Sequence, residues 1–377
     1  MKKSLTWIIF VLSILMVSCF NFWQNQSVEI CAEKVKKLKY WPFVADMWNK
    51  NDNLRTIKRV FDRLDHERVN GSVDNSWDVM WSIEYPSDYF EEKLKSLQPH
   101  QKVNHFPGIM YVTYKGWMTT HNHFSFIPRA FEFPLMKKDF EKFSKENPQV
   151  RFVEKSGSNR GVNIVSIDEI NLNEFNDNIY QEFIENPLLI DDRVFDLGVY
   201  VLITSIDPLR IYRFKSEVLM RFCPKPYYPF DPANVDKYVI QESQKTIFEM
   251  PSLKDYVTKL GFSFKMSFDA HLRSRHLNPD DLWAQVDDAI ITLITANEKH
   301  FIDETNKYAH PEHFFELVRF DFIIDNDLIV HLMEVNMSPN LTPAEDRFEK
   351  HATSYEQVVF NTLRCVMDFE EGNKVLP

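Results

Sequence analysis

Residues 314–341 read FFELVRFDFIIDNDLIVHLMEVNMSPNL. Two apolar runs flank a polar turn at Asp325, Asn326 and Asp327. Their β-branched and bulky residues have the density expected of two strands in a buried sheet. Three polar groups interrupt them: Asp321 in the first run, Glu334 and Asn336 at the end of the second. An acid inside a buried strand is costly unless it is paired or holds a metal. Two carboxylates and an amide oxygen on one hairpin make a hard-oxygen site of the kind Mg²⁺ prefers when phosphates supply the remaining ligands. The alternative is that Asp321 and Glu334 pair with basic residues at a strand end.

The chain has 377 residues, long enough for two or three domains, and 44% of them are hydrophobic. Phe is abundant, at 32, and Gly scarce, at 8. No internal repeat is found. A net charge of −11 argues against a nucleic-acid binder working through a general positive field. Cys19, Cys31, Cys223 and Cys365 show no CxxC spacing, which speaks against structural zinc and against a disulfide-built fold.

At the N-terminus, Leu5 to Phe20 are almost wholly apolar, preceded by Lys2 and Lys3 and followed by Trp23. The run is near the lower limit for crossing a bilayer, about 17 residues. We read 1–24 as a membrane anchor, with a cleaved signal peptide or a buried helix as alternatives. Lys2 and Lys3 on one flank, and Lys34, Lys36, Lys37 and Lys39 on the other, leave the topology open. The cytosol is favoured for the rest of the chain. Sequons at Asn25, Asn70, Asn336 and Asn340 carry little weight, and a glycan on Asn336 would destroy a metal site there.

Residues 25–100 are expected to form a membrane-proximal helical region, since Met47, Leu54, Ile57, Phe61 and Leu64 recur at roughly helical spacing. Lys102–Lys115 reads as a turn at Pro107-Gly108 followed by a strand-like run, and Lys137–Glu146 as a charged helix. Strands follow in 151–155, 162–167, 179–184, 195–206 and 210–222. Asn278-Pro279-Asp280-Asp281 is a helix start: a capping Asn, Pro in the first turn, acids at the positive dipole end. A last helix is expected over 354–368. The class is mixed α/β (α+β), with long antiparallel strands rather than regular βαβ units.

Residues 156–161, SGSNRG, follow Lys155 and hold Gly157 and Gly161. Backbone N–H groups of such a loop can cradle phosphate, with Lys155 and Arg160 adding charge. Alone it reads equally as a hairpin turn. The order of features adds weight: a lysine and glycine loop, a short strand with Gln181 and Glu182, long strands carrying Asp196 and Arg221, then the acid–acid–amide hairpin. That is the layout of an ATP-grasp fold, in which nucleotide lies between two antiparallel sheets.

The segments VEKSGSNRGVNIV, YQEFIENPLLIDDRVFDLGVYVLITSIDPLRIYRFKSEVLMRF and the hairpin above resemble those of the tubulin tyrosine ligase-like amino-acid ligases, over about residues 101–370. The N-terminal stretch resembles the branch with a hydrophobic segment. The resemblance implies that Lys155 and the loop at Gly161 bind ATP phosphate. Gln181, with the backbone of Glu182, Phe183 and Ile184, would hold adenine, and Lys237 is a candidate further cation at the nucleotide. Asp196 would lie near nucleotide and substrate, Arg221 near the γ-phosphate, and Asp321, Glu334 and Asn336 would bind Mg²⁺. It also implies a chemistry: ATP phosphorylates a tail carboxylate, and the acyl phosphate is attacked by the amine of free glutamate. Tubulin C-terminal tails on microtubules would be the acceptor.

The chain departs from the family pattern at three places, one of them the Leu-Thr-Asn segment, where Asn234-Val235-Asp236-Lys237 stands and Lys237 is the candidate replacement cation. Val194 and Gly198 stand where a lysine and an arginine flank the FD pair, and Arg193 is one step from the lysine position. Two function classes follow: a tubulin glutamate ligase, or a catalytically impaired pseudo-ligase acting as a membrane-tethered interaction protein. Basic residues available to an acidic tail are Lys34, Lys36, Lys37, Lys39, Arg59 and Arg63, and separately Arg273 and Arg275. Such clusters are also common as solvated faces.

Overall fold

The computed structural model describes residues 37–45, 54–73, 75–155, 162–173, 178–240, 243–341 and 349–367. The hydrophobic stretch 1–24, the glycine loop 156–161 and the sequon at Asn25 lie outside these residues. Among them, no helix is long and apolar enough to cross a membrane.

Fourteen strands are described, in two sheets: β1 (Lys39–Phe43), β2 (Glu67–Arg68), β3 (Val79–Ser82), β4 (Lys102–Asn104), β5 (Ala130–Glu132), β6 (Arg151–Lys155), β7 (Val162–Ser166), β8 (Ile179–Glu182), β9 (Phe195–Ile206), β10 (Leu209–Arg213), β11 (Leu219–Phe222), β12 (Lys245–Thr246), β13 (Phe314–Ile324) and β14 (Val330–Asn336). The larger sheet runs β12-β11-β9-β13-β4-β3-β1-β2. The smaller, β5-β8-β6-β7, is antiparallel throughout.

The long antiparallel pair β9–β13 sets the layout. Each strand is long enough to carry two partners end to end on its outer edge. β9 takes β11 at its start and β10 at its end. β13 takes β4 at its start, in parallel, and β14 at its end. One end of the pair is therefore a four-strand block, β11-β9-β13-β14.

Alternation of side chains then sorts residues between two faces. Leu197, Val199, Val201 and Ile203 of β9 join Val318, Phe320 and Phe322 of β13 in the main core. The helix Pro279–Thr305 covers that core with Leu282, Val286, Ile290, Leu293 and Ile294. Asn278 caps this helix as its sequence suggests, accepting from the Asp280 N–H at 3.1 Å. The opposite face begins apolar, with Tyr200, Leu202, Phe315 and Leu317 under the helices Arg55–Arg63 and Glu349–Met367. It then turns polar toward Asp196 and Asp321.

Two expectations need correction. Residues 25–100 are not simply helical: β1, β2 and β3 extend the larger sheet in parallel, beside the helices Arg55–Arg63 and Ser87–Leu94. Tyr40, Trp41, Met80 and Trp81 are buried in these strands, and aromatic residues favour a pleated half-buried surface. After Pro107-Gly108 the chain forms the short helices Met110–Thr113 and Lys115–His121, not a strand. A short apolar run does not discriminate the two by periodicity.

The two parts of the larger sheet are tied by Glu316 of β13, which is fully buried. It receives the Phe106 N–H at 3.1 Å and pairs with His105 at 2.8 Å. The other ring nitrogen of His105 meets the Ser82 carbonyl at 3.0 Å. Burial pushes the Glu316 carboxyl up, and His105 opposes the shift. Replacing Glu316 with Ala would strand the His105 and Phe106 donors, so we expect a loss of about 3–5 kcal/mol. Glu316→Gln, which keeps an acceptor, should cost less; denaturant midpoints of the two variants test this.

Candidate nucleotide site

The polar end of the β9–β13 face is built in rungs. Across one rung lie Leu219, Gly198, Asp321 and Glu334 on four adjacent strands. The next holds Tyr200, Arg319 and Asn336. Arg221 sits opposite Asp196. Strand pairing alone thus gathers residues up to 140 positions apart onto one surface.

Two buried acids and two guanidiniums form its centre. Arg221 grips Asp196 through both Nε, at 3.0 Å, and Nη2, and donates from Nη2 to Asp321 Oδ2 at 2.9 Å. Arg319 donates from Nε to Asp321 Oδ1 at 2.6 Å and from Nη2 to Oδ2 at 2.8 Å. Asn336 Nδ2 adds a bond to Oδ2 at 2.8 Å. Burial would raise the Asp321 carboxyl, but Arg319 and then Arg221 outweigh it and hold it below the ordinary range. For Asp196, burial prevails: its carboxyl is pushed up, with Arg221 opposing and the charge of Asp321 adding to the rise.

The smaller sheet contributes Lys155 and Gln181, joined by a bond from Lys155 Nζ to Gln181 Oε1 at 2.5 Å. Burial lowers the Lys155 ammonium to about 8; Glu334 works against the shift and Lys115 with it. Lys115, from the helix Lys115–His121, reaches Glu334 Oε1 at 3.3 Å. Lys155, Lys115 and Glu334 therefore face one another across the space between the sheets.

Other expected residues are differently engaged. The Glu182 N–H donates to the Arg129 carbonyl and the Phe183 N–H to that of Arg151, so two of the backbone groups assigned to adenine serve the fold. Phe183 also packs with Val153, Ile164 and Val194 in an apolar cluster. Ile184, the next residue, is half-buried. A lysine in place of Val194 would have to enter that cluster. Arg193, one step away, donates to the Cys223 carbonyl at 3.1 Å. Lys237 is buried and donates to the Pro229 carbonyl. Gly161 lies outside the described residues. The Asn336 amide is bonded to Asp321, a bond that a glycan on the same nitrogen would disturb.

Sequence reasoning missed Arg319 and Lys115. Arg319 had a visible signal: a second charge two residues before Asp321, on the same face of an apolar strand. Lys115 had none, since only the tertiary structure brings its helix to β14.

Mg²⁺ fits part of this donor set. Glu334 and the amide oxygen of Asn336 are hard donors. Asp321, as it stands, does not fit as a free ligand: three donors crowd onto Oδ2, and Arg319 Nε holds Oδ1 at 2.6 Å. An added cation there would face both guanidiniums; unit charges about 4 Å apart interact by about 4 kcal/mol at an effective dielectric near 20, and a divalent ion doubles that. Among the described residues, the one close group of His, Cys, Asp and Glu side chains with metal-ligand spacing is His310, Glu312 and His313, before the start of β13.

Two sheets with a lysine on one and an acid–arginine–amide surface on the other define the class of an ATP-grasp-like ligase fold. Residues 92–374 match the tubulin-tyrosine ligase family, and the chain belongs to that family. It is 37% identical over 311 residues to the Caenorhabditis elegans protein named "Probable tubulin polyglutamylase ttll-15", covering 81% of this chain and 60% of that one. Identity to human "Tubulin polyglutamylase TTLL6" is 29% over 315 residues, 78% of this chain and 34% of the relative. For human "Tubulin monoglutamylase TTLL4" it is 28% over 329 residues, 82% and 27%. The chain thus spans between a quarter and three-fifths of the length of these relatives.

A lysine with its ammonium lowered to about 8 should bind phosphate in a pH-dependent way. Bound phosphate favours the charged form, so affinity for ATP should be flat below that pH. Above it, affinity should fall by up to about tenfold per unit, as the free protein loses the proton. Lys155→Arg should remove the fall, as read by titrating a fluorescent ATP analogue from pH 7 to 9.5.

Proposed function

We propose that this chain is an ATP-dependent ligase that adds glutamate to glutamate side chains in tubulin tails. The carrying observation is the rung surface Asp196, Arg221, Asp321, Glu334 and Asn336 facing Lys155, in a member of this family whose named relatives are glutamylases.

A carboxylate does not accept an amine directly, because oxide is too poor a leaving group. Its oxygen instead attacks the γ-phosphorus of ATP, ADP departs, and the amine nitrogen then displaces phosphate from the acyl carbon. Such transfers need positioning and charge neutralisation more than covalent help from the protein. Lys155 would bind the phosphates as a point charge, released from Gln181 Oε1. Arg221, locked between Asp196 and Asp321, presents a guanidinium whose orientation is already fixed. Asp196 would position that guanidinium and border the substrate. Mg²⁺, held by Glu334 and Asn336, would neutralise charge on the phosphate oxygens. An acidic tail could be met by Arg55, Lys58, Arg59 and Arg63, which line an open hollow on one helix. Arg59 and Arg63 both pair with Glu356 there, so a tail carboxylate would compete for cations already used to meeting one.

A second reading, a non-catalytic nucleotide-binding protein, is favoured by one observation, the occupied state of Asp321. Purified chain with ATP, Mg²⁺, labelled glutamate and microtubules separates the two. We expect ATP-dependent incorporation into tubulin, reduced about 100-fold or more by Glu334→Gln. ATP binding without incorporation would leave only the second reading.

Residues 1–24 would tether the protein to a membrane, a proposal resting on their apolar run alone. Resistance of the full chain to alkaline extraction from membranes, lost when 1–24 are deleted, is the expected outcome.

A further inference from the structure

The polar surface contains a buried cation, Arg319, on the strand next to Gly198, the position where the family pattern has an arginine. Arg319 is only 5% exposed, so it is no surface ion pair. Its path is opened by Gly198, which lies directly across from Asp321 on β9. A Cβ at 198 would stand 2.7 Å from Arg319 Cδ and 3.1 Å from its Nε. Arg319 fills the lane that the missing side chain leaves, and delivers a two-pronged guanidinium to both oxygens of Asp321.

The consequence is a closed charge count. Asp196 and Asp321 are balanced by Arg221 and Arg319, and the four are buried or nearly so. Asp321 Oδ2 takes three donors, from Arg319, Arg221 and Asn336, and Oδ1 takes one, from Arg319 Nε. Glu334 is different. Its partner Lys115 is about half exposed and 3.3 Å away, a contact that solvent or a ligand can replace.

We propose that Arg319 takes, at Asp321, the charge-neutralising place of a divalent ion, so that nucleotide is held in this chain with one divalent ion, at Glu334 and Asn336. This rests on the nucleotide-site reading given above. Arg319 acts through Asp321 and is a positioning residue. It braces the carboxylate that aims Arg221 without a second metal.

The test uses the full chain, a β,γ-methylene ATP analogue and Mn²⁺, with free Mn²⁺ counted by its paramagnetic resonance signal. One Mn²⁺ per nucleotide-loaded chain is expected, and two in Arg319→Gly. Arg319→Lys, which keeps the charge, should stay at one. Gly198→Ala, which must push Arg319 aside, should move toward two. Chelating the metal should weaken analogue binding less than about tenfold in the unaltered protein and about 100-fold or more in Arg319→Gly. Two Mn²⁺ per loaded chain in the unaltered protein overturns the assignment, whether or not any variant folds. Absence of analogue binding under every metal condition overturns the nucleotide site itself, and the assignment with it; the two failures are distinct.

Discussion

Asp321 must stay ionised while buried, and much of the surface around it serves that requirement. A lone carboxylate in this position would take up a proton rather than bear the cost of desolvation. Arg319, Arg221 and Asn336 together prevent it. Each comes from a position that strand pairing fixes: Arg319 two residues back on the same strand, Arg221 two strands away, Asn336 on the neighbouring hairpin arm. Removing either guanidinium leaves a buried charge the rest must absorb, so the group acts as a unit.

The β9–β13 pair makes this arrangement possible because it serves two environments at once. Its odd residues on β9 and even residues on β13 form the base of a large apolar core. Its other face is apolar at one end, under the C-terminal helix, and polar at the other. The site is thus anchored by hydrophobic burial on both the reverse face and the adjoining part of its own face. Such backing keeps a charged cluster in one geometry, and preorganised charge is what phosphoryl chemistry asks of a protein.

The cation at 319 and the glycine at 198 are best understood together. Either alone would be a fault: a buried arginine with no space, or a hole beside a buried acid. Together they are mutually required, one supplying volume and charge where the other leaves room. A guanidinium on β13 occupies the space that a side chain at 198 on β9 would take. That is how a departure at one site can coexist with the family's fold.

The hairpin, its three polar interruptions and the order of short strand and long strands were legible in the sequence because they are local patterns of periodicity and polarity. So was the capped helix at Asn278. The alternation along β9 and β13 also fixed which residues share a face, since a one-residue slip would bury the acids in the apolar core. What only the tertiary structure decided was who neighbours whom across strands. The parallel extension through β1, β3 and β4, the approach of Lys115 to Glu334, and the insertion of Arg319 beside Gly198 all join residues distant in the chain. Sequence determined that Asp321 would be a buried acid on this face; three-dimensional packing decided that guanidiniums would neutralise it, because the charge balance of a buried group depends on distances that no single stretch of chain contains.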